Sequence, residues 1–67
     1  MTQEQYEQRV APYIERYISA RKAKCTRTAE ARLRDWTKLY ASYKECAYEV
    51  AYKSVQRVAE AFYKARR

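Results

Sequence analysis

The sequence predicts an all-α fold: a helical hairpin with a kinked N-terminal helix and a long C-terminal helix, completed by oligomerisation. A three-helix bundle is the alternative. Three observations lead there. Glycine is absent and Pro12 is the only proline. Apolar side chains recur at helical spacing along most of the chain. Residues 29–67 contain neither of the residues that usually stop a helix.

Thr2 followed by Gln5 reads as a capping box that opens helix 1. Tyr6, Val10, Tyr13, Ile14, Tyr17 and Ile18 then fall on one face. Glu4 and Glu7 lie in the first turns and Arg21, Lys22 and Lys24 in the last, which complements the helix dipole. Helix 1 is expected over about residues 2–24. Pro12 removes a backbone donor and crowds the preceding turn, so a kink near residues 8–12 is expected. Tyr6 and Val10 keep phase with Tyr13 and Tyr17, which favours one kinked helix over two short ones.

Cys25-Thr26-Arg27-Thr28 is the only plausible break, with Thr26 or Thr28 as N-cap and Glu30 in the first turn that follows. Helix 2 is expected over about residues 28–66. Its stripe is Leu33, Trp36, Tyr40, Tyr43, Ala47, Val50 or Ala51, Val55, Val58 and Phe62. Trp36, Ala47 and Val58 stand eleven apart, the repeat of a nearly straight helix. Such a helix would be about 60 Å long, against about 35 Å for helix 1.

Helix 1 then covers helix 2 only to about residue 50. Beyond that point lies an apolar-aromatic surface of Tyr48, Tyr52, Val55, Ala59, Phe62 and Tyr63, the expected protein interface. A chain this short buries only about 60% of its unfolded surface, so it gains from help. A homodimer whose overhangs cover each other would supply it. The alternative is a break near residues 42–45 that folds the excess back, although no breaker residue marks it.

Fifteen Lys and Arg stand against eight Asp and Glu, giving a net charge of +7. The charge is uneven. Arg21, Lys22, Lys24, Arg27, Arg32 and Arg34 surround the expected hairpin tip, opposed there only by Glu30. Lys and Arg near a helix C-terminus are ordinary dipole chemistry, but Arg32 and Arg34 open helix 2, where cations are disfavoured. A phosphate backbone would suit the cluster. Lys64, Arg66 and Arg67 form a second basic end, which ordinary C-terminal chemistry explains.

Eight of the ten aromatic residues are Tyr. Each buries a ring and keeps a hydroxyl for a partner, which suits half-exposed packing. Tyr13, Tyr17, Tyr40 and Tyr43 are at core spacing, and Trp36 reads as the core anchor.

The chain has no His, so Cys–His catalysis is excluded and two Cys cannot hold a structural zinc by themselves. Cys25 and Cys46 lie too far apart on the hairpin to bridge and read as unpaired thiols. Glu49 with Lys53 reads as a surface pair, not half of a catalytic carboxylate pair. A Gly-rich phosphate loop cannot be built without glycine. No enzyme activity, metal or cofactor is therefore expected. The polar Met1–Gln5 segment reads as no signal peptide, and the absence of a long apolar run excludes a membrane span. A cytoplasmic setting with reduced thiols is expected.

The leading functional expectation is a small basic binding protein, dimeric, that meets nucleic-acid phosphates through the tip cluster. The alternative is a regulator or inhibitor, of phage-type or host-directed kind, that docks its Tyr-rich surface on a larger protein target. A structural assembly piece is a third class.

Overall fold

Thr2 starts the first helix as its sequence indicates. Its hydroxyl accepts the Gln5 amide at 3.2 Å, and the Gln5 side chain accepts the Thr2 amide at 3.1 Å. The structure, a computed structural model, describes residues 1–66. They form three helices: α1 (Gln3–Lys22), α2 (Thr26–Lys44) and α3 (Tyr48–Arg66). The all-α class is as expected. Of the two architectures the three-helix alternative is the one found, and the continuous helix over 28–66 is not. The end of the second basic cluster, Arg67, lies outside the described residues.

Helix α1 runs through Pro12 without ending. Proline cannot donate to the Gln8 carbonyl, but both residues are exposed, so water can take that place. Its buried face is Val10, Tyr17, Ile18 and Ala20, with Tyr6, Tyr13 and Ile14 half-buried beside them.

The two turns use one device. At the first, Lys24 adopts a left-handed conformation with φ 60°, the Cys25 amide donates to the Ala20 carbonyl, and the Lys24 amide donates to Arg21. This is a Schellman closure. At the second, Glu45 has φ 53° and ψ 46°, and the Cys46 amide reaches back to the Ala41 carbonyl at 3.2 Å. Glycine normally takes such positions, because a Cβ there costs roughly 1–2 kcal/mol. Both stops were hidden from a search for Gly and Pro for that reason. Lys24 and Glu45 are exposed, so their side chains at least meet no further crowding.

Glu45→Gly is therefore expected to stabilise the protein by about 0.5–1 kcal/mol, read as a higher urea midpoint. In an unbroken helix the same change would destabilise by about 1 kcal/mol. The sign alone separates the two architectures.

The turn at Glu45 also resets the helical phase. In α2 the buried positions are Ala29, Leu33, Trp36 and Thr37. In α3 they are Ala51, Val55 and Ala59, one turn apart. Ala47 and Val58, expected on the core stripe, are exposed instead, and of the pair Val50 or Ala51 the buried one is Ala51. An eleven-residue repeat keeps one face only while the helix is unbroken.

Helix α3 folds back over the α1–α2 hairpin. The Phe62 ring lies 6.2 Å from the Trp36 ring, and Arg66 pairs with Glu15. Trp36 is the centre of the core, 2% exposed. It meets Tyr17 edge-on at 6.3 Å, and its indole N–H donates to the Tyr6 hydroxyl at 3.0 Å. Tyr6 in turn stacks on Tyr43 at 4.5 Å. Thr37, wholly buried, satisfies its hydroxyl on the Leu33 carbonyl. The Cα radius of gyration is 11.4 Å, near the roughly 11 Å expected of a compact chain of this length. The premise of an uncovered overhang on α3 does not hold: Val55 and Ala59 lie in the protein's own core.

Burial raises the pKa of the Tyr6 phenol above its usual value, with smaller upward contributions from Tyr40 and Tyr43, and the hydrogen bond from Trp36 opposes the shift. The folded state thus prefers the neutral phenol more than the unfolded chain does. Its contribution is complete below pH ~10, where free tyrosine titrates, and is lost as pH rises through the higher folded value. Between pH 9 and 12, the wild type should lose more stability than Tyr6→Phe, measured as urea midpoints at each pH.

Candidate nucleic-acid interface at the α1–α2 corner

The corner joins the end of α1 to the start of α2, and its cations divide into two groups. Arg21 and Arg32 are tied into the fold. Arg21 donates to the Tyr17 hydroxyl at 2.7 Å and to the Glu60 carboxylate at 2.9 Å, and its guanidinium lies 4.2 Å from the Tyr63 ring centre. It clamps α3 onto α1. Glu60, first, and then Tyr17 hold its pKa above the already high value of a free guanidinium. Arg32 pairs with Asp35 at 3.2 Å, one turn on along α2. Both were expected to face a polyanion; each is half-buried and holds an ion pair, Arg21 across to α3 and Arg32 along its own helix.

Lys22, Lys24, Arg27 and Arg34 form the second group. All four are exposed and make no ion pair among the described residues. The left-handed turn at Lys24 places that side chain at the corner itself. Helix α2 starts there without a side-chain cap: Cys25 occupies the N-cap position and makes no capping bond, and no acid lies in the first turn. Its leading amides carry the positive end of the helix dipole with no acidic side chain in that turn to offset it. An uncapped helix start flanked by free Lys and Arg has the chemistry of a phosphate site.

Beside the corner, a groove of about 480 Å³ runs between the end of α1, the start of α2 and α3. The Arg21–Glu60 pair lines it, with Lys24, Thr26, Tyr52 and Gln56 among its walls. Cys25 is exposed and Cys46 half-buried, both as free thiols. Among the described residues no group of three or more His, Cys, Asp or Glu is placed to hold a metal.

The expected protein interface divides as well. Val55 and Ala59 are core residues, and Phe62 and Tyr63 pack against that core. They were expected at an interface because they lie beyond the reach of helix 1 on an unbroken helix 2. Once the chain turns at Glu45, they meet α1 and α2 of the same chain. Tyr48 and Tyr52 remain, stacked at 6.2 Å, with Tyr48 exposed.

Sequence reasoning missed the role of Arg21 as a clamp. The available signal was its position one turn after Tyr17, which allows a same-face contact; nothing local marks Glu60 or Tyr63 as partners. No helix among the described residues is long and apolar enough to cross a membrane. The chain matches no known family model, no curated protein and no solved structure.

Proposed function

We propose that this is a small basic, non-enzymatic binding protein that contacts nucleic-acid phosphates through the α1–α2 corner, in a cytoplasmic setting. The observation that carries the reading is the group of exposed cations Lys22, Lys24 and Arg27, with no ion pair among the described residues, around an uncapped helix start, with Arg34 about two turns further along α2. Phosphates would approach the free amides of α2, with Lys24 and Arg27 on either side. Such contacts position a backbone and carry little sequence information.

The test is a titration of short DNA and RNA, single- and double-stranded, at 50 and 200 mM salt. If all four cations meet phosphates of a duplex, affinity should fall about a hundredfold between those salt concentrations. Lys24→Glu with Arg27→Glu should remove binding. Both are surface positions, so the helical circular dichroism should persist. Absence of binding to any of these polymers at low salt ends the reading.

A second reading, a regulator or inhibitor that docks on a larger protein target, is supported by the exposed Tyr48–Tyr52 stack. It predicts the opposite mutational pattern: loss of activity on Tyr48→Ala with Tyr52→Ala, and indifference to charge reversal at the corner.

A further inference from the structure

The groove beside the basic corner has a different character from the corner itself. On α3, Tyr52, Gln56 and Glu60 follow one another a turn apart, so one row of side chains lines it. Thr26 and Glu30 line it from α2, where the buried Ala29 and Leu33 add apolar surface. Its charges balance: Arg21 and Lys24 stand against Glu30 and Glu60. A phosphate gains little from such a lining, whereas the corner outside is cationic. Thr26, Glu30 and Gln56 make no side-chain hydrogen bond among the described residues. Tyr52 is half-buried, and its ring is stacked on Tyr48 at 6.2 Å. The volume of about 480 Å³ falls within the roughly 300–1,000 Å³ of small-molecule sites.

We propose that this groove takes one unpaired nucleobase of a strand whose phosphate sits at the corner. The proposal rests on the phosphate reading above and adds the class of polymer, which is single-stranded. An unpaired base is uncharged, flat and apolar on its faces, and it carries donors and acceptors along its edge. Each property has a counterpart in the groove. The balanced charges tolerate a neutral guest. The Tyr52 ring offers a surface for stacking, which every base can use. Glu30 accepts hydrogen bonds, and Thr26 and Gln56 both donate and accept them, so a base edge finds partners. Lys24 and Thr26 belong to the groove and to the corner alike, so a base and its own phosphate reach both at once. In a duplex the base stays stacked and paired, and the groove is left empty.

The test is fluorescence anisotropy at about 50 mM salt with three probes of equal length: a single strand of mixed sequence, an abasic strand with the same phosphates, and a duplex. The base-bearing strand should bind about tenfold tighter than the abasic one. Tyr52→Leu keeps apolar bulk against the core and removes the stacking ring, so most of that advantage should vanish. Gln56→Leu changes an exposed position and should reduce the advantage, which keeps the test decisive if Tyr52→Leu does not fold. Neither change should alter the affinity for the abasic strand or the duplex, and circular dichroism checks that each variant is folded. If the abasic strand binds and the base-bearing strand binds no tighter, the inference is overturned and the phosphate reading stands. An advantage unchanged in every folded variant also overturns it. If none of the three probes binds, both readings fall together.

Discussion

Trp36→Ala is expected to cost about 3–5 kcal/mol and to leave little folded protein at 25 °C. The indole is the largest side chain in the core and is 2% exposed. It joins all three helices: Tyr6 and Tyr17 from α1, its own α2, and Phe62 from α3. Removing a buried aromatic ring loses its transfer energy and leaves a cavity. The Tyr6 hydroxyl also loses its donor, which adds to the cost. A chain of 67 residues has only about 3–10 kcal/mol of stability to lose. Trp36→Phe keeps most of the apolar volume and should cost less, so it should remain folded, with a urea midpoint below that of the wild type. Tyr6→Phe in the wild-type background isolates the loss of the hydrogen bond from the indole.

Val55→Asp should be nearly as damaging, by about 3–5 kcal/mol at pH 7, because it places an unpaired carboxylate where a methyl pair was enclosed. Val55 is 1% exposed and packs within the core cluster. Burial would raise the pKa of the new carboxyl in the folded state. Its neutral form is therefore the better tolerated one. Relative to wild type, the variant should be closest to normal below pH ~4 and should lose stability as pH rises through the raised folded value. Val58→Asp, three residues on and 43% exposed, should cost less than about 0.5 kcal/mol in dilute protein. On an unbroken helix 28–66 both positions would lie beyond the hairpin, and the two substitutions would behave alike. The contrast between Val55 and Val58 is thus a direct consequence of the phase change at Glu45.

The N-terminal half of the fold was legible in the sequence. The Thr2–Gln5 capping box, the Val10, Tyr17 and Ile18 face, and the Trp36 anchor all rest on local spacing, and each appears where that spacing places it. The second turn was not legible, because its stop is a left-handed glutamate whose cost is local and small, whereas its return is distant. That return is the burial of Val55 and Ala59 in a core built with α1 and α2 residues nineteen or more positions away in the chain, such as Trp36. Tertiary packing outweighed helix continuity, and no nearby residue records it.

The same reasoning divides the basic cluster. Composition placed six cations near one corner, but it could not show that Arg21 would find Glu60 and Tyr63 across the fold. Nor could it separate Lys22, Lys24, Arg27 and Arg34, which remain exposed, from the two arginines that the fold occupies. The candidate site is accordingly smaller than the cluster, and it gains the uncapped start of α2, which only the backbone reveals.

Helix α3 turns back and packs on the hairpin of its own chain. Proton–proton Overhauser contacts between Trp36 and Phe62 test it most directly, because the rings lie 6.2 Å apart in the folded chain. In an unbroken helix the two residues would stand about 39 Å apart. Isotope filtering on a mixture of labelled and unlabelled protein tells contacts within one chain from contacts between two. Cross-peaks between the two rings within a single chain are the predicted result. Their absence, with helical amide shifts continuous through Lys44, Glu45 and Cys46, would contradict the account.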